Sequence, residues 1–196
     1  MNVGKIAIVA LLGAALLAGV GVYYTNNYAF YGDVVEGGEV RLTLNAGGQE
    51  AILAEEVRAI DRDTSELAYR ACFTTPMSEA MLTETYVVYD RPAPTVAPDW
   101  FDCFDAAAIG QALDAERAFA FLGEANIVYG FDRVVAIDDQ GRGFVWHQIN
   151  PCGDAHFKGD PLPQGCPDAP EETNGRTSDR AFLRGNPGAD AGARGR

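Results

Sequence analysis

The feature that most constrains this chain is an uninterrupted apolar run over residues 6–24. The run contains no charged residue and no proline. At about 1.5 Å of rise per helical residue, it covers roughly the 30 Å hydrocarbon layer of a bilayer. Tyr23, Tyr24 and Tyr28 stand at its far end, where amphipathic rings favour the headgroup layer. The run therefore predicts a transmembrane helix, with residues 1–28 forming an anchor that contacts the lipid bilayer.

The charges that flank the run predict its orientation. Lys5 and the N-terminal amine precede it, whereas Asp33 and Glu36 follow it. Because positive charge is retained on the cytoplasmic side, we expect a single-pass protein of the bacterial inner membrane with a cytoplasmic N-terminus. A cleaved signal peptide is the alternative, but the residues around Ala18 make a poor cleavage site and the apolar run continues beyond them. The residues after the span are therefore expected in the periplasm.

Four cysteines follow the predicted span: Cys72, Cys103, Cys152 and Cys166. An even number of cysteines in an oxidising compartment predicts disulfides, and three pairings are open. We favour Cys72 with Cys103 and Cys152 with Cys166, because the last two bracket one short loop. On the chain-entropy model, each closure stabilises the fold by roughly 3 to 4 kcal/mol before native strain is subtracted. This prediction depends on the domain being outside the cytoplasm.

Residues 29–169 are expected to form one periplasmic domain of class α+β, made mainly of antiparallel strands with one clear helix and stapled by the disulfides. Apolar side chains that alternate with period two indicate half-buried strands. Strands are predicted at residues 39–45, 50–60, 67–73, 85–89, 119–122, 127–129, 133–137 and 144–149. The segment 50–60 also permits a helix.

The helices and turns follow from capping residues, glycines and prolines. Asp105 is a good N-cap for the clear helix, predicted at residues 106–117, and a shorter helix is predicted at 77–83. The sequence DDQGRG at 138–143 predicts a hairpin turn, because its glycines accept positive φ. Proline-rich residues 91–98 predict an extended connector, and residues 150–170 an irregular coda rich in proline and glycine.

The end of the chain differs in charge from the rest. From Thr173 onward five arginines oppose two aspartates, so the formal net charge of −13 is concentrated in the preceding residues. Residues 170–196 have too little apolar surface to offset the entropy of ordering and are predicted to be a disordered tail. An acidic domain repels phosphate backbones, which argues against nucleic acid as a ligand.

Several blocks of the sequence are familiar as a set. They are RACFTTP at 70–76, WFDCFDAAAIG at 100–110, DRVVAI at 132–137, WHQINPCG at 146–153 and QGCP at 164–167. Together they resemble an uncharacterised family of small single-span membrane proteins of alphaproteobacteria, a domain of unknown function. The resemblance supports the layout of anchor and domain, and it supplies no catalytic residue.

One cluster of residues suggests a metal site. His147, Cys152, His156 and Cys166 supply two imidazoles and two sulfurs within a short stretch, a set that suits zinc or copper. Their spacing matches no zinc-finger or CxxC pattern, and thiols outside the cytoplasm tend to be oxidised. We therefore expect no cofactor, and a periplasmic metal-handling or thiol-handling factor is the alternative function.

The expected function is that of a binding, assembly or accessory subunit of an inner-membrane complex. No G-x-S-x-G elbow and no phosphate-binding glycine loop occurs in the sequence, which favours a non-catalytic role. The partner is expected to be another inner-membrane protein. The candidate interaction face consists of aromatic residues that otherwise belong to the core: Trp100, Phe101, Phe104 and Trp146.

Overall fold

The N-terminal apolar helix is confirmed in the computed structural model, which describes residues 3–32, 34–62 and 64–170. Helix α1 (Val3–Tyr24) continues into one turn of π-helix at Thr25–Ala29. No residue of α1 is buried against the described chain, and Val3–Ala29 is long and apolar enough to cross a membrane. The helix is thus consistent with a single-pass anchor. All but the first residue of the predicted tail lies outside the described residues.

The domain is built on one six-stranded antiparallel sheet with the strand order β1-β4-β5-β8-β7-β6. Strands β2 and β3 form a separate two-stranded hairpin. The strands are β1 (Val35–Glu36), β2 (Arg41–Thr43), β3 (Gln49–Ala51), β4 (Glu55–Ile60), β5 (Arg70–Thr74), β6 (Ala118–Val128), β7 (Phe131–Asp138) and β8 (Arg142–Ile149). The expected α+β class with mainly antiparallel strands is confirmed.

The hairpin between β7 and β8 forms at the predicted turn because Asp138 organises it. The buried Asp138 carboxylate accepts hydrogen bonds from the backbone N–H groups of Gln140 and Arg142 and pairs with the Arg142 guanidinium at 2.7 Å. Gly141 supplies the positive φ of +76°. Local sequence alone therefore fixes the register of the two strands.

Apolar layers cover both faces of the sheet. The alternation predicted for residues 67–73 is visible in β5, where Ala71 and Phe73 join one core and Cys72 joins the other. The first core lies under the β2–β3 hairpin and includes Leu42, Leu82, Tyr86, Phe121 and Val135. The second lies under the segment after the proline-rich connector and includes Ile60, Phe101, Phe104, Ile109 and Trp146.

Three further helices pack on this sheet. Helix α2 (Glu79–Thr85) begins at a Ser78 cap, two residues later than predicted. Helix α3 (Ala106–Asp114) has the predicted Asp105 cap, whose carboxylate accepts from the N–H groups of Ala107 and Ala108. Helix α4 (Pro151–Lys158) was not expected, because its proline and glycine content resembles a loop.

The strand predictions need four corrections. The predicted strand 67–73 starts too early, because Glu66–Ala68 form a 3₁₀-helical turn and β5 begins at Arg70. Residues 85–89 contribute only isolated bridges at Tyr86 and Val88. Residues 119–122 and 127–128 belong to one strand, β6, because irregularities in its pairing with β7 interrupt the apolar alternation without ending the strand. Residues 50–60 are extended, as favoured, but form two strands in different sheets.

One end of the sheet joins the anchor. The Gly32 N–H donates to the Asp61 carbonyl, 3.1 Å away, directly after β4 ends. Because the strands are antiparallel, β5 and β7 begin at this end, and β6 and β8 finish there. We call this the anchor end of the sheet. The opposite end, where β4 begins, is called the far end. The proline-rich connector, taken from here on as residues 91–100 so that it includes Trp100, crosses the anchor end.

Two glycines on helices provide a matched test of packing. A Cβ atom on Gly153 in α4 would lie 2.3 Å from the Gly130 carbonyl oxygen, whereas one on Gly110 in α3 would meet nothing within 4 Å. We expect Gly153→Ala to lower the free energy of unfolding by about 1 to 3 kcal/mol through overpacking. Gly110→Ala should raise it by about 0.5 to 1 kcal/mol. Urea titration of each full-length variant in detergent measures both, and equal midpoints would contradict the close approach.

Candidate functional site

An exposed apolar patch lies at the anchor end beside α4. Val128 pairs with Phe131 across the β6–β7 hairpin, and Phe131 pairs with Ile149 on β8. The Phe157 ring of α4 packs on Phe131, with their centroids 5.5 Å apart. Phe157 nevertheless remains 56% exposed, Ile149 40% and Val128 39%. These four side chains form one continuous patch, which we call the α4 surface.

A groove of about 520 Å³ adjoins the α4 surface at Ile149. It runs between the start of the connector and the coda that follows α4. Its rim carries the carboxylates of Asp90, Asp154 and Asp160 against the single guanidinium of Arg91. Lys158 pairs with Asp154 at 2.8 Å, so the mainly polar lining keeps a small net negative charge, which favours basic ligands over anionic ones.

The start of α4 is held rigidly. The Asn150 side chain caps the helix by accepting from the Gly153 N–H at 2.9 Å, and Pro151 occupies the first helical turn. The absence of a Cβ on Gly153 lets the helix approach the backbone of Gly130. A disulfide from Cys152 to Cys166 ties the coda to the first turn of the helix.

A buried polar network forms the floor between the groove and the sheet. The Asp132 carboxylate accepts from the Asn126 N–H at 2.9 Å, from Asn150 Nδ2 at 2.7 Å and from the Tyr89 hydroxyl at 3.1 Å. Burial, together with the Asp132 charge, raises the pKa of Tyr89 far above its usual range. The phenol therefore remains a hydrogen-bond donor at any physiological pH. Sequence reasoning missed this network because its members come from four separate segments.

His147 is buried on the neighbouring strand and is uncharged. Its Nδ1–H donates to the Glu66 carbonyl at 2.8 Å, and its Nε2 accepts from Arg133 Nε at 3.0 Å. The ring stacks on Tyr69 at 4.8 Å. Desolvation first, then the charge of Arg133, lowers the pKa of His147 to about 3. Both ring nitrogens are already occupied, so this histidine supports the sheet.

A family model described as a family of unknown function, DUF6446, matches residues 40–167, more than half of the chain. The chain belongs to DUF6446. The match confirms the resemblance to a domain of unknown function and covers every sequence block that suggested it. No curated protein and no solved structure matches the chain.

The matched DUF6446 region begins just before β2 and ends after the second disulfide. It therefore contains α2 to α4, both disulfides, the α4 surface and the groove, and it leaves out α1. Both favoured cysteine pairings are confirmed, from Cys72 to Cys103 and from Cys152 to Cys166.

The four residues of the metal hypothesis are not brought together as ligands. Cys152 and Cys166 bond to each other, so neither sulfur is a thiolate. The ring nitrogens of His147 are occupied, and His156 packs edge-on against Tyr129 with a centroid distance of 5.2 Å. Across the described ranges, no group of three His, Cys, Asp or Glu side chains is placed to hold a metal ion.

The candidate aromatic interaction face is corrected by the burial of its members. Phe101, Phe104 and Trp146 are at most 5% exposed and belong to the second core, because they fill the space between the sheet and α3. Trp100 alone is partly exposed, and it packs against the end of the anchor. Phe157, which the sequence analysis placed in an irregular coda, has an exposed aromatic ring instead.

The Asp132 network makes a prediction about stability. Asp132→Ala removes the acceptor of the Asn126 N–H and of the Tyr89 hydroxyl, and it leaves the Asn150 amide with Asn126 Oδ1, 3.0 Å away, as its acceptor. Each buried donor that is left without a partner costs about 1 to 3 kcal/mol, so we expect a large loss in the free energy of unfolding. Asp139→Ala, at an exposed turn position, is the matched control and should change it by less than about 0.5 kcal/mol. Chemical denaturation followed by tryptophan fluorescence checks both.

The burial of His147 makes a prediction about pH. An unfolded histidine titrates near pH 6.5, whereas the pKa of folded His147 is about 3. Below about pH 6.5 the unfolded chain therefore binds a proton that the folded chain rejects, and stability falls as the pH drops. The contribution of this group approaches about 1.4 kcal/mol per pH unit between about pH 6 and pH 4.

Substituting each of the two histidines in turn separates the pH dependence of stability caused by His147 from that caused by the carboxylates. We expect His147→Gln to remove the His147 share of the pH slope and His156→Gln to retain it. Unfolding midpoints measured from pH 4 to pH 7 give both slopes. Identical slopes for the two variants would show that His147 is not held neutral by the fold.

Proposed function

We propose that this DUF6446 protein is a membrane-anchored, non-catalytic accessory subunit that binds a neighbouring membrane protein. In this proposal α1 spans the inner membrane of an alphaproteobacterium with its N-terminus in the cytoplasm, and the domain lies in the periplasm. The α4 surface and its groove form the binding site. The observation that carries the proposal is the location of this exposed patch at the anchor end of the sheet.

The location matters because a partner embedded in the membrane is reached most easily from that end. The chain joins the sheet at the anchor end through Gly32 and Asp61, and the α4 surface is formed where β8 ends and β7 begins. Other exposed apolar side chains, such as Leu53 and Met81, belong to segments next to the far end. Isolated exposed apolar residues are ordinary, whereas a contiguous patch supports an interface.

The chemistry of the patch supports a protein partner. Phe157 is an exposed aromatic residue on a helix whose first turn is fixed by a cap and a disulfide. Large rings held on rigid elements dominate the energy of many interfaces, because little entropy is lost when they bind. The acidic rim of the groove favours a partner segment that carries lysine or arginine beside an apolar side chain.

Two further features support the proposed compartment. Two disulfides close loops within the domain, and disulfides persist in oxidising compartments such as the bacterial periplasm. Lys5 before the span and acidic residues after it support the proposed orientation.

Site-specific photo-crosslinking in native membranes tests the proposal. A photo-reactive phenylalanine analogue at position 157 should give one discrete adduct with a membrane protein. The adduct should be lost when Ile149→Asp is added, and Phe157→Asp should weaken binding of the identified partner by about 2 kcal/mol or more.

Met81 provides the matched control, because it is 48% exposed on α2. The analogue at position 81 should not form the adduct, and Met81→Asp should not weaken it. An adduct obtained equally from both positions, or one that survives Ile149→Asp, would contradict the assignment of the α4 surface.

A further inference from the structure

The connector that crosses the anchor end is held in a fixed conformation by two buried side chains. Arg70, 3% exposed, donates from Nε to the Thr95 carbonyl at 2.8 Å and from Nη2 to the Val96 carbonyl at 3.0 Å. Gln148 accepts from the Ala93 N–H at 2.8 Å. The Val96 carbonyl is bound to Arg70, whereas the Val96 side chain is 79% exposed. The exposure of Val96 is therefore built into a rigid segment.

The same connector touches the end of the anchor through Trp100. The indole Nε1–H donates to the Asn27 carbonyl in the π-helical turn that extends α1. Tyr28 stacks on the indole with a centroid distance of 6.5 Å, and Tyr31 meets it edge-on at 5.7 Å. These contacts join the domain to the anchor at the level where the span ends.

The end of a span lies at the boundary between hydrocarbon and headgroups, where tryptophan and tyrosine accumulate. Tyr24, Tyr28 and Phe30 are between 44% and 59% exposed around this end of α1. Val96 is four residues from Trp100, so their Cα atoms are at most about 14 Å apart. The exposed side chain of the connector is thus within reach of the same boundary.

We propose that the connector rests on the lipid headgroup layer, with Val96 inserted among the lipids and Trp100 at the interface. The domain then lies against the bilayer and does not stand away from it on a stalk. Lipid is the occupant because Trp100 holds the connector against the aromatic end of α1, which brings the exposed Val96 within reach of the same boundary. This inference needs α1 to be in a bilayer, and it is independent of the partner protein proposed above.

The charges around the connector indicate which lipids suit it. Asp99 and Asp102 flank Trp100 and are exposed, and Asp102 pairs with Arg58 at 3.3 Å. Arg91 at the start of the connector and Arg62 over the Tyr31 ring oppose these carboxylates, so no strong net charge draws the connector toward anionic headgroups. The contact is therefore apolar in origin, and it should form on zwitterionic lipid without an anionic component.

Tryptophan quenching by lipid measures this contact in the full-length protein. The protein is placed in phosphatidylcholine nanodiscs, with and without bromine on the upper acyl chain. Trp100→Phe removes the interfacial indole, and Val96→Trp is added to it. Trp146, 0% exposed in the core, remains as an unquenched reference. We expect the Val96→Trp emission to lose intensity in brominated discs and to shift to the blue relative to water.

Leu53→Trp in the same Trp100→Phe background is the matched control, because Leu53 is 56% exposed just before β4 at the far end. Its emission should not be quenched. Equal quenching at both positions, or quenching at neither, would overturn the proposed orientation.

A measurement on the unaltered chain keeps the test independent of these variants. Lipids with a photo-activated group near the headgroup should label residues 94–100 in the wild-type protein and spare residues 51–55. Labelling should be the same in discs of pure phosphatidylcholine and should not rise with anionic lipid. Absence of label at 94–100, or protection of that segment by a bound protein in native membranes, would overturn lipid as the occupant.

Discussion

The anchor end of this domain depends on one buried guanidinium, that of Arg70. Besides the two connector carbonyls, it donates to the carbonyls of Leu67 and Tyr69, each at 2.6 Å. Desolvation is the main cause that lowers the pKa of Arg70, to about 10, so the group is still charged at neutral pH. A buried charge is tolerated only when its donors are satisfied. Here that requirement binds the central strand β5 to the turn before it and to the connector, which otherwise has few backbone partners because of its prolines.

This arrangement makes the two ends of the sheet different. At the anchor end, the connector, the start of α4 and the end of α1 converge, and the exposed apolar side chains Ile149, Phe157 and Val96 belong to segments fixed by caps, a disulfide or Arg70. At the far end, the turn between β7 and β8 is closed by Asp138 and is polar. This difference between the two ends supports the proposed contacts of the anchor end near the membrane.

The buried titratable groups have structural explanations. Burial first and then the charge of Arg133 lower the pKa of His147 and keep it neutral, and the Asp132 carboxylate is stabilised by three donors. The sulfurs that suggested a metal or thiol function are joined to each other. Three of the four residues of the metal hypothesis, His147, Cys152 and Cys166, are thus already bonded to neighbours that the fold supplies, and His156 packs against Tyr129.

The sequence by itself determined the apolar N-terminal helix, most of the alternating strands, the hairpin at 138–143 and the capped helix after Asp105, and it favoured the observed cysteine pairing among three. These features depend on local periodicity, capping and loop length, all of which are visible in adjacent residues. Only the tertiary structure decided that Phe101, Phe104 and Trp146 are core while Phe157 is exposed, and that Asp132 and Arg70 organise the anchor end. The physical reason is that burial and hydrogen-bond partners come from segments distant in the chain. The run 151–158 begins with a proline and contains a glycine, and the Asn150 cap, the close approach to Gly130 and the disulfide to Cys166 stabilise it as a helix.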